Sequence, residues 1–175
     1  MILLLGGARS GKSRAAVRLA EESGLPVTVI ATAEAGDPEM AARIERHRAQ
    51  RPAAWTTLEA PRDLHAAVVG ASTGSFLLVD CLTLWVSNLL GHGRTGDEVI
   101  DEATRIADLL RERGAVVVSN EVGLGIVPVN DLARSYRDVL GAVNATFAEA
   151  ASQSLLMVAG RSLRLAPVEV VLNPG

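Results

Sequence analysis

The chain has 175 residues, of which 49% are hydrophobic and 21% charged, and carries a net charge of −3; this suggests a single domain over residues 1–175 with a substantial core, and it excludes the basic excess of a nucleic-acid-binding protein. A lone cysteine, Cys81, rules out an internal disulfide or a cysteine-based zinc site and fits a reducing, cytoplasmic interior, while 3% aromatic residues argue against a base-stacking platform. No apolar run approaches a membrane span, and the short apolar start lacks the charged region and cleavage site of a signal peptide. In chain order, a strand over Ile2–Leu5 leads straight into Gly6-Gly7-Ala8-Arg9-Ser10-Gly11-Lys12-Ser13 and a helix over Lys12–Ser23. Strands follow over Val27–Ala31, Phe76–Asp80, Val116–Ser119, Leu155–Ala159 and Val168–Leu172, with a partly exposed one at Trp55–Leu58. Helices are predicted over Pro38–Gln50, Arg62–Val69, Thr83–Leu90, Asp97–Arg113 and Asn130–Ala151. Most strand candidates are continuous apolar runs, as strands buried on both faces of a parallel sheet should be. The alternation implies an α/β fold with a mostly parallel central sheet and helices on both faces. The last two strands are joined only by the short segment Gly160–Pro167, which predicts an antiparallel hairpin at the sheet edge.

Residues 6–13 match the phosphate-binding loop G-x-x-x-x-G-K-[ST]. Glycines let backbone N–H groups turn onto a polyphosphate, and the following helix N-terminus adds a favourable dipole. Lys12 is then expected on the β- and γ-phosphates and the Ser13 hydroxyl on Mg²⁺. The alternative is a glycine-rich turn with no ligand, against which the flanking strand and helix weigh. Ligands of such sheets sit at the carboxyl ends of the strands. That rule nominates Ala31-Thr32-Ala33, Asp80 and Asn120-Glu121. Asp80 closes Phe76-Leu77-Leu78-Val79, an apolar strand delivering a carboxylate to the loop's Mg²⁺; the alternative is a helix N-cap. Glu121 either faces a substrate or stabilises a loop turn.

His47 lies in a helix that Asp37 can cap, Pro38 opens and Pro52 ends. Arg43 and Arg51 stand one turn either side of it and Arg48 adjoins it. Nearby cations disfavour a protonated imidazole, leaving a usable nucleophile, and guanidinium groups hold phosphate oxygens. The alternative is a surface histidine on a solvated basic helix, and the residues alone favour it. Arg134, Arg137 and Asn144 share a helix face that reads as phosphate-binding or merely solvated. Cys81, Trp55 and Trp85 read as packing residues, and His65 and His92 as bystanders.

The loop GGARSGKS, the segment MAARIERHRAQRP followed by Trp55, and the stretches DCLTLWVSNLL and SNEVGLGIVP together resemble one family. It is the bifunctional adenosylcobinamide kinase / adenosylcobinamide-phosphate guanylyltransferase family of cobalamin biosynthesis. The resemblance implies a P-loop fold and two reactions: phosphorylation of adenosylcobinamide by GTP or ATP, then transfer of GMP from GTP to adenosylcobinamide phosphate. It implies that His47 carries GMP as a phosphoramidate. It carries nucleotide contacts to Gly6 through Ser13, to Ala31, Thr32 and Ala33, to Arg48, Ala49, Gln50 and Arg51, to Glu59 and to Asp80. It further implies a homotrimer with the corrinoid near subunit boundaries. Asp80 stands where the family commonly has glutamate, Ala145 where glutamine is expected, and the polar Gly160-Arg161-Ser162 where an apolar turn is expected. Two other readings survive: a single-activity small-molecule kinase using the phosphate loop alone, and a non-catalytic nucleotide-binding regulatory subunit.

Overall fold

The computed structural model describes residues 1–49, 51–168 and 170. The elements are β1 (Ile2–Gly6), α1 (Lys12–Glu22), β2 (Val27–Ala31), α2 (Pro38–Ala49), β3 (Thr56–Glu59), α3 (Leu64–Gly70), β4 (Phe76–Asp80), α4 (Leu82–Gly91), α5 (Gly96–Arg111), β5 (Ala115–Val118), α6 (Asp131–Ala150), β6 (Gln153–Val158) and β7 (Arg161–Leu165). The strands form a seven-stranded sheet in the order β3-β2-β4-β5-β1-β6-β7. Every neighbouring pair is parallel except β6 and β7.

The apolar runs form strands because both faces are covered. Alternate side chains point to opposite faces, so Leu3, Leu5, Leu77, Val79 and Val117 join one core while Leu4, Leu78, Val116 and Val118 join the other. The first core is roofed by α3 to α6, through residues such as Val68, Trp85, Ile106 and Phe147. The second is covered by α1 through Ala16 and Ala20, small residues that let the helix approach the sheet closely. Helix ends follow local chemistry. Asp37 Oδ1 accepts from Met40 N at 2.7 Å at the start of α2. Thr95 and Glu98 form a capping box on α5, and Asn130 Oδ1 accepts from Leu132 N at 2.8 Å on α6.

Helix α2 differs from the others: none of its described side chains is buried. Its last turn reaches the carboxyl end of β4, and none of its described residues joins either core.

The edge hairpin exists, but its second strand is Arg161–Leu165, inside the segment expected to be its connection. Ala159 and Gly160 both adopt positive φ, 50° and 75°, which suits a two-residue turn matched to strand twist. Strand β7 then pairs with β6 from Arg161 opposite Val158 to Leu165 opposite Ser154. Of the strand expected over Val168–Leu172, residues 169, 171 and 172 lie outside the described residues, and Val168 and Val170 are helical.

Candidate active site

The phosphate loop follows β1 and is shaped by backbone that needs glycine. Gly6 has φ 147°, and a Cβ there would lie 2.3 Å from Met157 O on the neighbouring strand. Gly11 has φ 99° and forms the N-cap of α1 without a side-chain cap. The first turn of α1 has no acidic residue, so its N-terminal N–H groups and dipole are available to an anion. Gly160 N donates to Ser10 O at 2.8 Å, which fastens the loop to the β6–β7 turn. The edge hairpin therefore buttresses the loop.

Lys12 is buried, and its Nζ donates to Gly6 O at 2.7 Å, Gly7 O at 2.8 Å and Ser10 Oγ at 3.4 Å. Burial lowers its pKa, opposed by the nearby Cys81 and Asp80. With all its donors on the loop's own oxygens, the ammonium is stored in place for phosphate oxygens of better charge.

The rest of the site is built on a row of strand ends. Register aligns Glu59 of β3 with Ala31 of β2, Ala31 with Asp80 of β4, and Asp80 with Val118 of β5. The end of α2 closes over that row. His47 Nδ1 lies 3.7 Å from Asp80 Oδ2, and Arg51 Nη2 lies 3.5 Å from the same oxygen. Arg48 pairs with Glu59 and, at 3.1 Å, with Glu45. Ser13, Arg14, His47, Arg51 and Asp80 line a cavity of about 400 Å³ whose apolar wall includes Ala16, Leu78 and Val118. Three cationic or titratable nitrogen side chains and one carboxylate thus surround a slot beside the start of α1.

Ser13 and Asp80 share this cavity. A hydroxyl and a carboxylate are hard oxygen donors, as Mg²⁺ requires, and Mg²⁺ takes few protein ligands when substrate phosphates supply the rest. The described residues contain no group of three or more His, Cys, Asp or Glu side chains able to hold a metal.

The other expected contacts divide. Ala31 and Glu59 end the strands bordering the site, Ala33 lies two residues past the end of β2, and Ala49 ends α2. Gln50 and the Arg43 side chain lie outside the described residues. Thr32 is fully buried and serves the backbone: its Oγ1 donates to Cys81 O at 2.6 Å and accepts from Cys81 N at 2.8 Å. Asn88 Nδ2 in turn donates to Thr32 O at 2.8 Å and Pro61 O at 2.9 Å. Neither role was visible in the sequence, because the partners are remote along the chain. Arg14 was also missed; its position one residue past the loop is the signal that could have found it.

Glu121 Oε1 accepts from Gly123 N at 2.5 Å, the loop-turn reading, and Glu121 N donates to Gly6 O at 3.2 Å. On α6, Arg134 pairs with Asp131 and Arg137 with Asp138, whereas Asn144 is buried and donates to Asn120 O at 3.0 Å. These three do not converge on the site. Cys81 is a packed thiol, pushed up to about 11 chiefly by burial. Trp85 is fully buried, with Nε1 donating to Arg62 O at 2.9 Å.

Comparison with known proteins identifies the family. The family model described as "Cobinamide kinase / cobinamide phosphate guanyltransferase" matches residues 2–165. The chain is 49% identical to the bifunctional adenosylcobalamin biosynthesis protein CobP of Pseudomonas aeruginosa, covering 93% of this chain and 95% of that protein. It is 40% identical to the bifunctional adenosylcobalamin biosynthesis protein CobU of Salmonella typhimurium, covering 94% of this chain and 99% of that one. Among solved structures, the ATPase EscN of the enteropathogenic E. coli type III secretion system superposes with TM-score 0.56 at 11% identity, covering 90% of this chain and 42% of that one. That likeness concerns the fold alone. No helix among the described residues is long and apolar enough to cross a membrane.

Proposed function

The chain belongs to the cobinamide kinase / cobinamide phosphate guanyltransferase family, and from that premise we propose how its residues divide two reactions. In the first, the γ-phosphoryl of GTP or ATP passes to the hydroxyl of the aminopropanol arm of adenosylcobinamide. In the second, GMP passes from GTP to His47 with release of pyrophosphate, and then to adenosylcobinamide phosphate, giving adenosylcobinamide-GDP. The single observation that carries this reading is the placement of His47 and Arg51 in one cavity with Ser13, at the start of the helix that follows the phosphate loop.

The backbone N–H groups at the start of α1 hold the polyphosphate, and Lys12 exchanges its loop carbonyls for β- and γ-phosphate oxygens. Arg51 and Arg14 flank the same slot and neutralise charge on the leaving pyrophosphate. Ser13 and Asp80 would hold Mg²⁺, which supplies further charge neutralisation on the phosphates. A covalent intermediate splits nucleotidyl transfer into two displacements by the usual logic of nucleophilic catalysis. The proposal places the enzyme in the cytoplasm as a homo-oligomer. Supporting the latter, the apolar side chains of Leu124, Ile126, Val129 and Leu132 are all more than two-thirds exposed within one short stretch of the chain.

The test is incubation with α-labelled GTP and Mg²⁺, followed by acid and alkali. Protein-bound label that is acid-labile and alkali-stable identifies a phosphoramidate. His47→Ala is expected to abolish the label while phosphorylation of adenosylcobinamide continues, and Lys12→Ala to impair the phosphorylation. Label persisting in His47→Ala would place the nucleophile elsewhere.

A further inference from the structure

We infer that Asp80 is a positioning residue for guanylyl transfer: its carboxylate holds His47 in the Nδ1–H tautomer, so that Nε2 is the nitrogen that attacks the α-phosphorus. This rests on His47 as the GMP acceptor and goes beyond it by assigning the attacking atom and the group that selects it.

An imidazole has two nitrogens, and the hydrogen bond made by one decides which is free. Here Nδ1 is the nitrogen facing Asp80 Oδ2, at 3.7 Å. That separation is longer than a hydrogen bond, but catalytic hydrogen bonds are often long before substrate binds, and a sub-ångström shift closes this one. Asp80 is the fixed partner. It ends β4 in register with Ala31 on one side and Val118 on the other. Its carbonyl accepts from Thr32 N at 3.1 Å, and the next residue is clamped by the Thr32 hydroxyl. Arg51 Nη2, at 3.5 Å from the same Oδ2, keeps that oxygen turned toward the end of α2. The other carboxylate oxygen has no protein partner among the described residues, so it would be left for a cation while Oδ2 orients the ring. A carboxylate accepts and cannot donate, so it stabilises only the tautomer with hydrogen on Nδ1.

The chemistry then balances without a proton transfer. The Nε2 lone pair attacks the α-phosphorus, the Nε2–P bond forms, and the bond from phosphorus to the bridging oxygen breaks with its electron pair leaving on pyrophosphate. The ring keeps its Nδ1 hydrogen and becomes cationic, paired by Asp80. When a phosphate oxygen of the corrinoid substrate attacks the same phosphorus, the Nε2–P electron pair returns to the ring and the original tautomer is restored.

The test has two readouts. The first is the ¹⁵N spectrum of the imidazoles in nucleotide-free, metal-free protein; the chain has 3 histidines, and His47 is assigned by its loss in His47→Ala. The second is the single-turnover rate of label transfer from α-labelled GTP. The wild type is expected to show His47 with hydrogen on Nδ1. Asp80→Asn presents an amide that donates as well as accepts, so hydrogen is expected to redistribute to Nε2. Its labelling rate should fall about a hundredfold, less than the ~10⁴ lost when a triad histidine loses its buried carboxylate. Raising Mg²⁺ should not restore it, which separates orientation from cation binding. Asp80→Glu should retain the Nδ1–H tautomer and label within about tenfold of wild type. A wild-type His47 with hydrogen on Nε2, or an Asp80→Asn protein that labels at the wild-type rate or is rescued by Mg²⁺, overturns the inference. Label surviving in His47→Ala instead overturns the assignment of His47 itself, so the two failures are distinct.

Discussion

Thr32 is expected to hold the catalytic strand end together through its hydroxyl and not its methyl. It is fully buried, and its Oγ1 both donates to Cys81 O and accepts from Cys81 N. Cys81 O has a second donor, Trp85 N at 3.3 Å, but Cys81 N has no other acceptor among the described residues. Thr32→Val preserves shape while orphaning that N–H, a loss of about 1–3 kcal/mol. With about 2–4 °C per kcal/mol for a chain of this size, a mid-range loss of about 2 kcal/mol lowers Tm by roughly 4–8 °C. Thr32→Ser keeps both bonds and removes one methyl, about 1 kcal/mol or roughly 2–4 °C. Calorimetry and urea denaturation of the two variants give the ranking directly. The expected order of stability is wild type, then Ser, then Val. Because Asp80 precedes the clamped residue, guanylylation should slow in the Val variant and stay near wild type in the Ser variant. A Val protein at least as stable as the Ser protein would refute the reasoning.

Two further outcomes follow from local geometry. Gly6→Ala forces a Cβ to within 2.3 Å of Met157 O, whereas a Cβ at Gly7 meets nothing within 4 Å; the first should destabilise β1 against β6 by about 2 kcal/mol or more and abolish nucleotide binding, the second should leave stability within about 1 kcal/mol of wild type, as urea denaturation will show. Tyr136, the only tyrosine, is pushed up to about 12 by burial. Its folded pKa lies above the unfolded value of about 10, so the stability it supplies is complete below pH ~10 and is lost as pH rises toward 12; phenolate absorbance of the native protein should therefore titrate well above pH 10, and a native midpoint at 10 would contradict the burial argument.

Much of the fold was legible because the sheet is buried on both faces. Phe76–Val79 is wholly apolar and Val27–Ala31 is broken only by the buried Thr28, and the limits expected for β4 and β2 coincide with the structure. Strand β7 was misplaced for the complementary reason. All of Arg161–Leu165 is exposed, and its sequence, Arg-Ser-Leu-Arg-Leu, holds no continuous apolar run to announce a strand. The more apolar Val168–Leu172 was the stronger strand signal, and only the turn conformation of Ala159 and Gly160 identifies the true partner. The phosphate loop was legible because its chemistry is contiguous. The clamp of Thr32 on Cys81, and the support of Thr32 by Asn88, were not, because those partners meet only after the sheet forms.

The placement of His47 illustrates the limit most clearly. A core helix announces its inward face by apolar periodicity, but α2 buries none of its described side chains, so its sequence cannot say which face meets the site. The expectation was a histidine governed by flanking arginines. In the structure, carboxylates from other elements engage those arginines: Arg48 is drawn to Glu59 of β3 and Arg51 to Asp80 of β4, and the imidazole Nδ1 faces the same Asp80. What orients the His47 imidazole is thus a set of charge pairs spanning the row Glu59–Ala31–Asp80, which exists only once β3, β2 and β4 are in register. An exposed pair such as Arg48–Glu59 contributes up to about 1 kcal/mol, far less than the packing that fixes α1 and the phosphate loop. The nucleotide's holder is therefore anchored by the core, whereas the residue that would attack it is positioned by electrostatics, and substitutions at Glu59 and Asp80 should disturb transfer well before they disturb the fold.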